Sequence, residues 1–201
     1  MQSFLHKEVS YGSGYFHVWI SSKKDSLFFA GSTDKAFFIS LIQDNLSPRH
    51  KLDRIRLTTH GYICDIELLA YSLTKSGVHI LVHTTRKNAV EEFGQALLFS
   101  YETYLASQHT VLALPFDTLF IFDKLVGRHE ALRVSREIHL LHEDWRNDRY
   151  SSIGFYLDDR RGDWMNPHRL TVLFGNKPDH YTKYMESRQT ESDRIFEYIE
   201  T

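Results

Sequence analysis

The order in which apolar residues recur constrains the fold of this chain more than any other feature. Residues 16–21 combine aromatic and β-branched side chains and end in a polar stretch, which is typical of a strand followed by a turn. Apolar side chains then recur at helical spacing from Ser32 until Pro48 ends the pattern. Residues 63–73 form a second β-like run. The chain therefore begins with a strand, a helix and a strand.

A short turn joins the second strand to a third one. Residues 74–77 read Thr-Lys-Ser-Gly, which is a turn-like sequence. The next six residues alternate, so His79, Leu81 and His83 share one face, opposite to three aliphatic side chains. The two strands are predicted to form a hairpin.

The chain then continues with a helix, a strand and a further helix. Asn88 and Glu91 resemble a capping box at the start of a long helical period. Residues 118–126 can supply a fourth strand, and residues 130–141 another helix. The order strand, helix, strand, strand, helix, strand is that of a ferredoxin-like split βαβ unit. We therefore predict an α+β fold with an antiparallel sheet.

The length and the hydrophobic content of the chain indicate how many domains it forms. The chain has 201 residues, of which 42% are hydrophobic, enough for one domain with a sizeable core. We expect residues 1–142 to form this domain and residues 143–201 to pack on it as a C-terminal helical extension rich in aromatic residues and arginine. The final stretch from Pro178 is acidic and is predicted to be a frayed helix or tail.

Charge and hydropathy limit the possible partners. The formal net charge of −2 provides no global attraction for a polyanion, so DNA binding would depend on local basic patches. The first residues lack the pattern of an export signal, and Pro115 and Asp117 interrupt the most apolar later stretch, so no membrane span is predicted. Cys64 is the single cysteine and is predicted to be a buried small hydrophobe. A cytoplasmic location fits.

Several stretches of the chain follow, in order, the motifs of one known family. They are residues 136–140, which read Arg-Glu-Ile-His-Leu, the hairpin at residues 69–81, and residues 16–21, 100–104 and 150–175. They resemble motifs of the single-tyrosine (HUH) transposases, insertion-sequence-200-like, in their REP-associated subfamily. Residues 136–140 resemble the Arg-Tyr-Ile-His-Leu-Asn-Pro helix of that family, and residues 69–81 resemble the hairpin that carries its Pro-Asn-His-Val-His-Leu-Leu motif. The resemblance covers most of residues 14–175 and implies a degenerate member of this family.

The resemblance also implies which chemistry is lost. In the family, two histidines one residue apart on a strand share a divalent ion, Mg²⁺ or Mn²⁺, and a tyrosine attacks a DNA phosphate. Here the first histidine position is Gly77 and the second is His79, while Glu137 replaces the tyrosine and Leu141 replaces a metal-binding asparagine. His83 lies about 13 Å from His79 along a strand, too far to share an ion. We expect no metal cofactor and no catalytic residue.

Other residues of the resembling motifs have structural interpretations. His79 is expected on a partly buried strand, near Glu137, whose carboxylate would favour a charged imidazolium. Tyr101 and Tyr104 have the helical spacing of core or interface aromatics. His139 is expected to be structural or solvent-facing.

Candidate DNA contacts fall into two groups. The first is a basic connection, which contains Arg49, Lys51, Arg54 and Arg56. The second has arginines interleaved with aromatic residues, a composition that suits stacking on a single strand. These arginines are Arg146, Arg149, Arg160 and Arg161.

Three functions remain open from the sequence. The preferred one is a non-catalytic protein that binds single-stranded or hairpin DNA. The alternative is a protein-interaction or regulatory module on the same scaffold, motivated by the acidic net charge, and a homodimer is plausible by resemblance. The least favoured is an active strand-transfer enzyme that uses Tyr101 or Tyr104.

Overall fold

The central element of the structure is an antiparallel sheet. The computed structural model describes residues 12–22, 27–47, 65–86, 88–108, 118–157 and 160–187. Within these residues, the strands are β1 (Gly14–Ser22), β2 (Ile66–Leu73), β3 (Gly77–Thr84) and β4 (Thr118–Leu125). Their order is β2-β3-β1-β4, and all neighbours are antiparallel. This is the ferredoxin-like arrangement, so the predicted α+β fold class is confirmed.

Two long helices cover one face of the sheet, α1 (Ser32–Leu46) and α2 (Ala89–Gln108). Their apolar faces pack on alternate strand residues, among them Val78, Ile80 and Val82. The predicted alternation of β3 is therefore confirmed. Gly94 allows α2 to approach β4 closely, because a Cβ atom there would lie 2.1 Å from the ring of Phe120.

The other face is covered by α3 (Arg128–His139) and by the C-terminal part of the chain. A β-bulge between Leu68 and Ala70 turns both Leu69 and Ala70 toward this face, where they are fully buried. The C-terminal part contains short helices α4 (Ile153–Tyr156) and α5 (His168–Thr171), a longer helix α6 (Pro178–Glu186), and 3₁₀ turns at Trp145–Asn147 and Val172–Phe174.

The C-terminal part also hydrogen-bonds to the outer edge of β2. Ser152 N–H donates to the Tyr71 carbonyl at 2.9 Å, and Asn166 N–H donates to the Leu68 carbonyl at 2.8 Å. Isolated β-bridges join Leu68 to Met165 and Ser72 to Ser151. These contacts cover an edge that would otherwise expose unpaired backbone groups.

The helix that was one of the two predictions for the stretch from Pro178 is confirmed for residues 178–186, but the prediction that it is frayed is wrong. They form α6, in which Tyr181, Tyr184 and Met185 are buried against the α3 face. Arg136 of α3 donates to the carbonyls of Tyr184 and Met185 near the end of α6, where helix carbonyls lack partners. The acidic composition concealed this apolar face.

Some predictions lie outside the described residues, namely those for Cys64 and for the basic connection of Arg49, Lys51, Arg54 and Arg56. No helix in the described part of the chain has the length and apolar character needed to cross a membrane.

Candidate nucleic-acid interface

Two histidines from neighbouring strands meet on the α3 face of the sheet. Nε2 of His17 on β1 lies 3.1 Å from Nδ1 of His79 on β3, and the two rings stack with centroids 5.3 Å apart. Trp19 also stacks on His79, with centroids 5.7 Å apart. Burial, together with the neighbouring His17, lowers the pKa of His79 to about 4. Burial also lowers the pKa of His17, so both imidazoles are neutral at pH 7.

Glu137 affects this pair differently from the sequence-based prediction. Its carboxylate forms an ion pair with Arg133, one turn earlier in α3. Its charge acts on His17, where Asp123 and Glu137 oppose the lowering of the pKa by burial. The expected imidazolium at His79 is wrong, because burial and His17 both favour the neutral ring.

By the motif resemblance, Gly77 was predicted to stand in place of a metal-binding histidine. A Cβ atom at Gly77 would lie 2.1 Å from the carbonyl oxygen of Ile20 and 2.8 Å from Cα of Ser21. The backbone of β1 therefore fills the space that a side chain would need. A histidine at this position would require β1 to move.

By the same resemblance, Leu141 was predicted to stand in place of a metal-binding asparagine. Because α3 ends at His139, Leu141 lies beyond the helix, with 41% of its surface exposed. Among the described residues, no cluster of three or more His, Cys, Asp or Glu side chains could hold a metal ion.

His139 has a structural role, as one of the predictions for it stated. The residue is fully buried, with Nδ1 at 2.8 Å from the Tyr181 hydroxyl and Nε2 at 2.7 Å from Oγ of Ser152. Oγ of Ser152 also accepts a hydrogen bond from Tyr71 N–H at 2.8 Å. Burial lowers the pKa of His139 to about 3. This chain of hydrogen bonds links α3 to α6 and to β2, and its partners could not be predicted from local sequence patterns.

Tyr101 and Tyr104 lie on α2, across the sheet from the histidine pair. The hydroxyl of Tyr101 donates to the Phe28 carbonyl at 2.9 Å, and its ring is buried among aromatic residues. Burial raises the pKa of Tyr101 well above its ordinary value. Tyr104 donates to Asp34 at 3.2 Å and stacks on Phe37. The predicted core role is confirmed for Tyr101.

The structure brings Arg149, Arg160 and Arg161 together around an open pocket of about 370 Å³. The pocket lies between α1 and the C-terminal part of the chain, beside the end of β2 that carries Tyr71. Its remaining lining is mostly apolar and aromatic. These lining residues are Ile39, Gln43, Tyr71, Phe155 and Trp164.

Stacked aromatic rings form the inner wall of the pocket. Trp164 stacks on Tyr71 with centroids 5.7 Å apart, and Phe155 packs edge-on against Trp164 at 5.4 Å. Gly162 permits this arrangement, because a Cβ atom there would lie 2.6 Å from Nε1 of Trp164. The wall is therefore fixed before any ligand binds.

The three arginines of the pocket differ in their contacts and in their exposure. Arg160 donates to the carbonyls of Ser151 at 2.9 Å and of Asp148 and Arg149 at 3.1 Å, so it fixes the loop around it. Arg149 and Arg161 are exposed at the rim. The Arg149 guanidinium lies over the Tyr150 ring, 4.8 Å from its centroid.

Arg146 lies apart from this pocket. Its guanidinium lies over the Trp145 ring, 4.8 Å from the centroid, and forms an ion pair with Glu186 of α6. The basic connection follows α1 directly in the sequence. Ser47, at the end of α1, donates to Asp163 beside Trp164 at 3.4 Å.

Comparisons with known proteins give one structural match. No protein-family model and no curated protein matches the chain. Among solved structures, the chain is similar to a REP-associated tyrosine transposase bound to a REP hairpin, with 9% sequence identity and a TM-score of 0.49. The similarity covers 83% of this chain and 94% of that one.

Proposed function

We propose that this protein binds single-stranded or hairpin DNA and does not cut it. The observation that carries the proposal is the pocket in which Arg149, Arg160 and Arg161 surround an aromatic wall. Guanidinium groups bind phosphate oxygens, while aromatic and apolar surfaces hold unstacked bases. The motif resemblance described above supports DNA as the polymer.

The charge distribution supports DNA binding at one local site and not through a general attraction of the whole protein for DNA. The net charge is −2, so the protein lacks a global positive field. Three arginines line the pocket, and two of them, Arg149 and Arg161, are exposed. A few phosphate contacts at such a patch give modest affinity that falls as salt increases.

Three features of the α3 face support the absence of strand cleavage. Glu137 replaces the tyrosine of the resembling family, and a carboxylate repels a phosphodiester. Gly77 has no space for a metal-binding side chain. His17 and His79 are hydrogen-bonded to each other, so binding a metal ion would first have to break this contact.

Fluorescence anisotropy of a labelled single strand that contains a short hairpin tests the proposal, with a plain duplex for comparison. The double substitution Arg149→Glu and Arg161→Glu should weaken hairpin binding by about tenfold or more. The matched control is Arg146→Glu, because Arg146 lies outside the pocket and should leave affinity nearly unchanged.

Two outcomes would contradict the proposal. If the parent protein binds neither hairpin nor single strand, DNA binding is wrong and the protein-interaction alternative replaces it. If the protein forms a covalent adduct with DNA in Mg²⁺ or Mn²⁺, the absence of cleavage is wrong.

A further inference from the structure

Three side chains form a row across one end of the sheet, on the face that α3 covers. His83 of β3 pairs with Tyr15 of β1 on one side and with Glu67 of β2 on the other. The rings of Tyr15 and His83 are in contact, with centroids 4.9 Å apart. The row lies near the start of β2, whereas Tyr71, which lines the arginine pocket, lies near the end of that strand. It is therefore a separate place in the fold.

Two arginines reach this row from the elements that cover it. Arg169 of α5 binds the Glu67 carboxylate through Nε and Nη2, with Nη2 at 2.6 Å, and its guanidinium also lies next to the Tyr15 hydroxyl. Arg128, the first residue of α3, donates from Nε to the same hydroxyl at 3.4 Å. Two positive charges that converge on one neutral oxygen repel each other, and an anion bound beside them offsets this repulsion.

The two arginines differ in how their charges are balanced. Glu67 neutralises Arg169 and also accepts a hydrogen bond from Asn166 at 2.8 Å, so this pair is complete. Arg128 is exposed and, within the described part of the chain, forms no ion pair with a carboxylate. Its charge is therefore available to a ligand.

The row also contains hydrogen-bonding groups without partners. The Tyr15 hydroxyl oxygen accepts from Arg128, but its own proton has no acceptor among the residues that the structure describes. Nδ1 of His83 is buried and likewise has no hydrogen-bond partner within these residues. Burial lowers the pKa of His83, as do Arg169 and Arg128, while Glu67 opposes them. Polar groups left unpaired in this way cost free energy, which a ligand with several acceptor oxygens reduces.

We propose that Arg128, Tyr15 and His83 form a binding site for a phosphate monoester. Such a group carries up to two negative charges and three acceptor oxygens, which match one free cation and two neutral donors. It is either the phosphorylated end of a DNA strand or a small free phosphate, since the site recognises the same chemistry in both. The inference does not depend on the proposed DNA binding, because inorganic phosphate tests it without DNA.

The first test titrates the full chain with inorganic phosphate at pH 7 and constant ionic strength, while NMR follows the ring resonances of His83. His83→Gln assigns these resonances by their loss. In the parent protein they should shift and reach saturation. The pKa of His83 should rise in the presence of phosphate, because a neighbouring anion favours the imidazolium.

Arg128→Gln should weaken phosphate binding by about tenfold or more, because it removes a charged hydrogen-bond donor. The matched control is Arg133→Gln, which removes the same charge from an exposed residue of α3 that forms an ion pair with Glu137. It should leave phosphate affinity within about twofold of the parent. The absence of a saturable shift of His83 would overturn the site, and so would equal losses of affinity in the two variants.

A second titration distinguishes the two sources of phosphate. It compares hairpins that carry a 5′-phosphate, a 3′-phosphate or no terminal phosphate. If a terminal phosphate strengthens binding to the parent and not to Arg128→Gln, the site holds the end of a DNA strand. If inorganic phosphate binds and the hairpins bind equally, the ligand is a small free phosphate. If phosphate binds and no hairpin does, the site stands and the proposed DNA binding is wrong.

Discussion

His17 and His79 form a neutral hydrogen-bonded pair across β1 and β3, with 3.1 Å between Nε2 and Nδ1. One imidazole must donate and the other accept, so the contact requires at least one neutral ring. Burial favours this state by lowering both pKa values. The pair therefore places two neutral imidazoles on the α3 face of the sheet, and it makes stability depend on pH.

Acidification should destabilise the fold below pH 6.5. The folded-state pKa is about 4 for His79 and about 3 for His139, against 6.5 in the unfolded chain. Between the folded-state and unfolded-state pKa values, the unfolded chain binds more protons than the folded one. The free energy of unfolding therefore decreases as the pH decreases, by up to about 1.4 kcal/mol per pH unit for each histidine. Urea unfolding at pH 7, 6 and 5 measures this slope.

The carboxylate of Glu67 does not explain a loss of stability between pH 7 and pH 5. Glu67 has its pKa lowered, chiefly by a hydrogen bond with Arg169, so its contribution is present above about pH 4.5 and is lost as pH falls below that value. His139→Gln should reduce the slope between pH 7 and 5 while lowering stability at pH 7, because Tyr181 and Ser152 lose a partner. An unchanged slope in this variant would contradict the assignment to His139.

Adding a side chain at Gly77 should destabilise the protein. A Cβ atom would meet the Ile20 carbonyl oxygen at 2.1 Å, so Gly77→Ala must displace the backbone of β1, at a cost of about 1–3 kcal/mol. Gly12→Ala is the matched control, because Gly12 is exposed outside the helices and strands and nothing lies within 4 Å of a Cβ atom there. It should change stability by no more than about 0.5 kcal/mol. Equal effects of the two variants in urea unfolding would refute the steric argument.

Substitutions at Arg160 and Arg149 should differ in their effect on stability, although both should weaken DNA binding. Arg160 donates to three backbone carbonyls, so Arg160→Ala should lower the free energy of unfolding by about 1–3 kcal/mol and also weaken DNA binding. Arg149→Ala should weaken DNA binding with little loss of stability, because Arg149 is exposed at the rim. Thermal unfolding and anisotropy of the same samples make the comparison. Equal stability losses in both variants would show that Arg160 does not fix the loop.

Removing the Tyr101 hydroxyl should affect stability and not DNA chemistry. Tyr101→Phe removes the buried hydrogen bond from the Tyr101 hydroxyl to the Phe28 carbonyl, at a cost of about 1 kcal/mol. Tyr104→Phe should cost less, because the Tyr104 contact with Asp34 is only partly buried. Hairpin affinity should be the same in both variants and the parent. A covalent DNA adduct that disappears in Tyr101→Phe would show instead that this tyrosine is a nucleophile.

Local periodicity was sufficient to predict the fold. The alternation in β3 and the helical spacing in α1 and α2 are properties of neighbouring residues, and the hairpin follows from the turn at residues 74–77. The faces of β3 were predicted for the same reason. The helix α6 was predicted only as a frayed helix or tail, because its two buried tyrosines are outnumbered by charged and polar neighbours.

Contacts between distant residues were beyond prediction from the sequence. His17 and His79 are 62 positions apart, and their contact depends on the register between β1 and β3. The pocket joins Gln43 of α1 to arginines more than a hundred residues later. Composition identified the arginines as candidates, but only the fold separates Arg146 from the other three.

The salt dependence of hairpin binding tests the central claim most directly. The measurement compares the slope of log affinity against log salt for the parent, for Arg149→Gln with Arg161→Gln, and for Arg146→Gln. The double variant should reduce the magnitude of the slope by about two, since each lost phosphate contact changes it by about one, while Arg146→Gln should match the parent. Identical slopes in all three proteins would contradict DNA binding through this pocket.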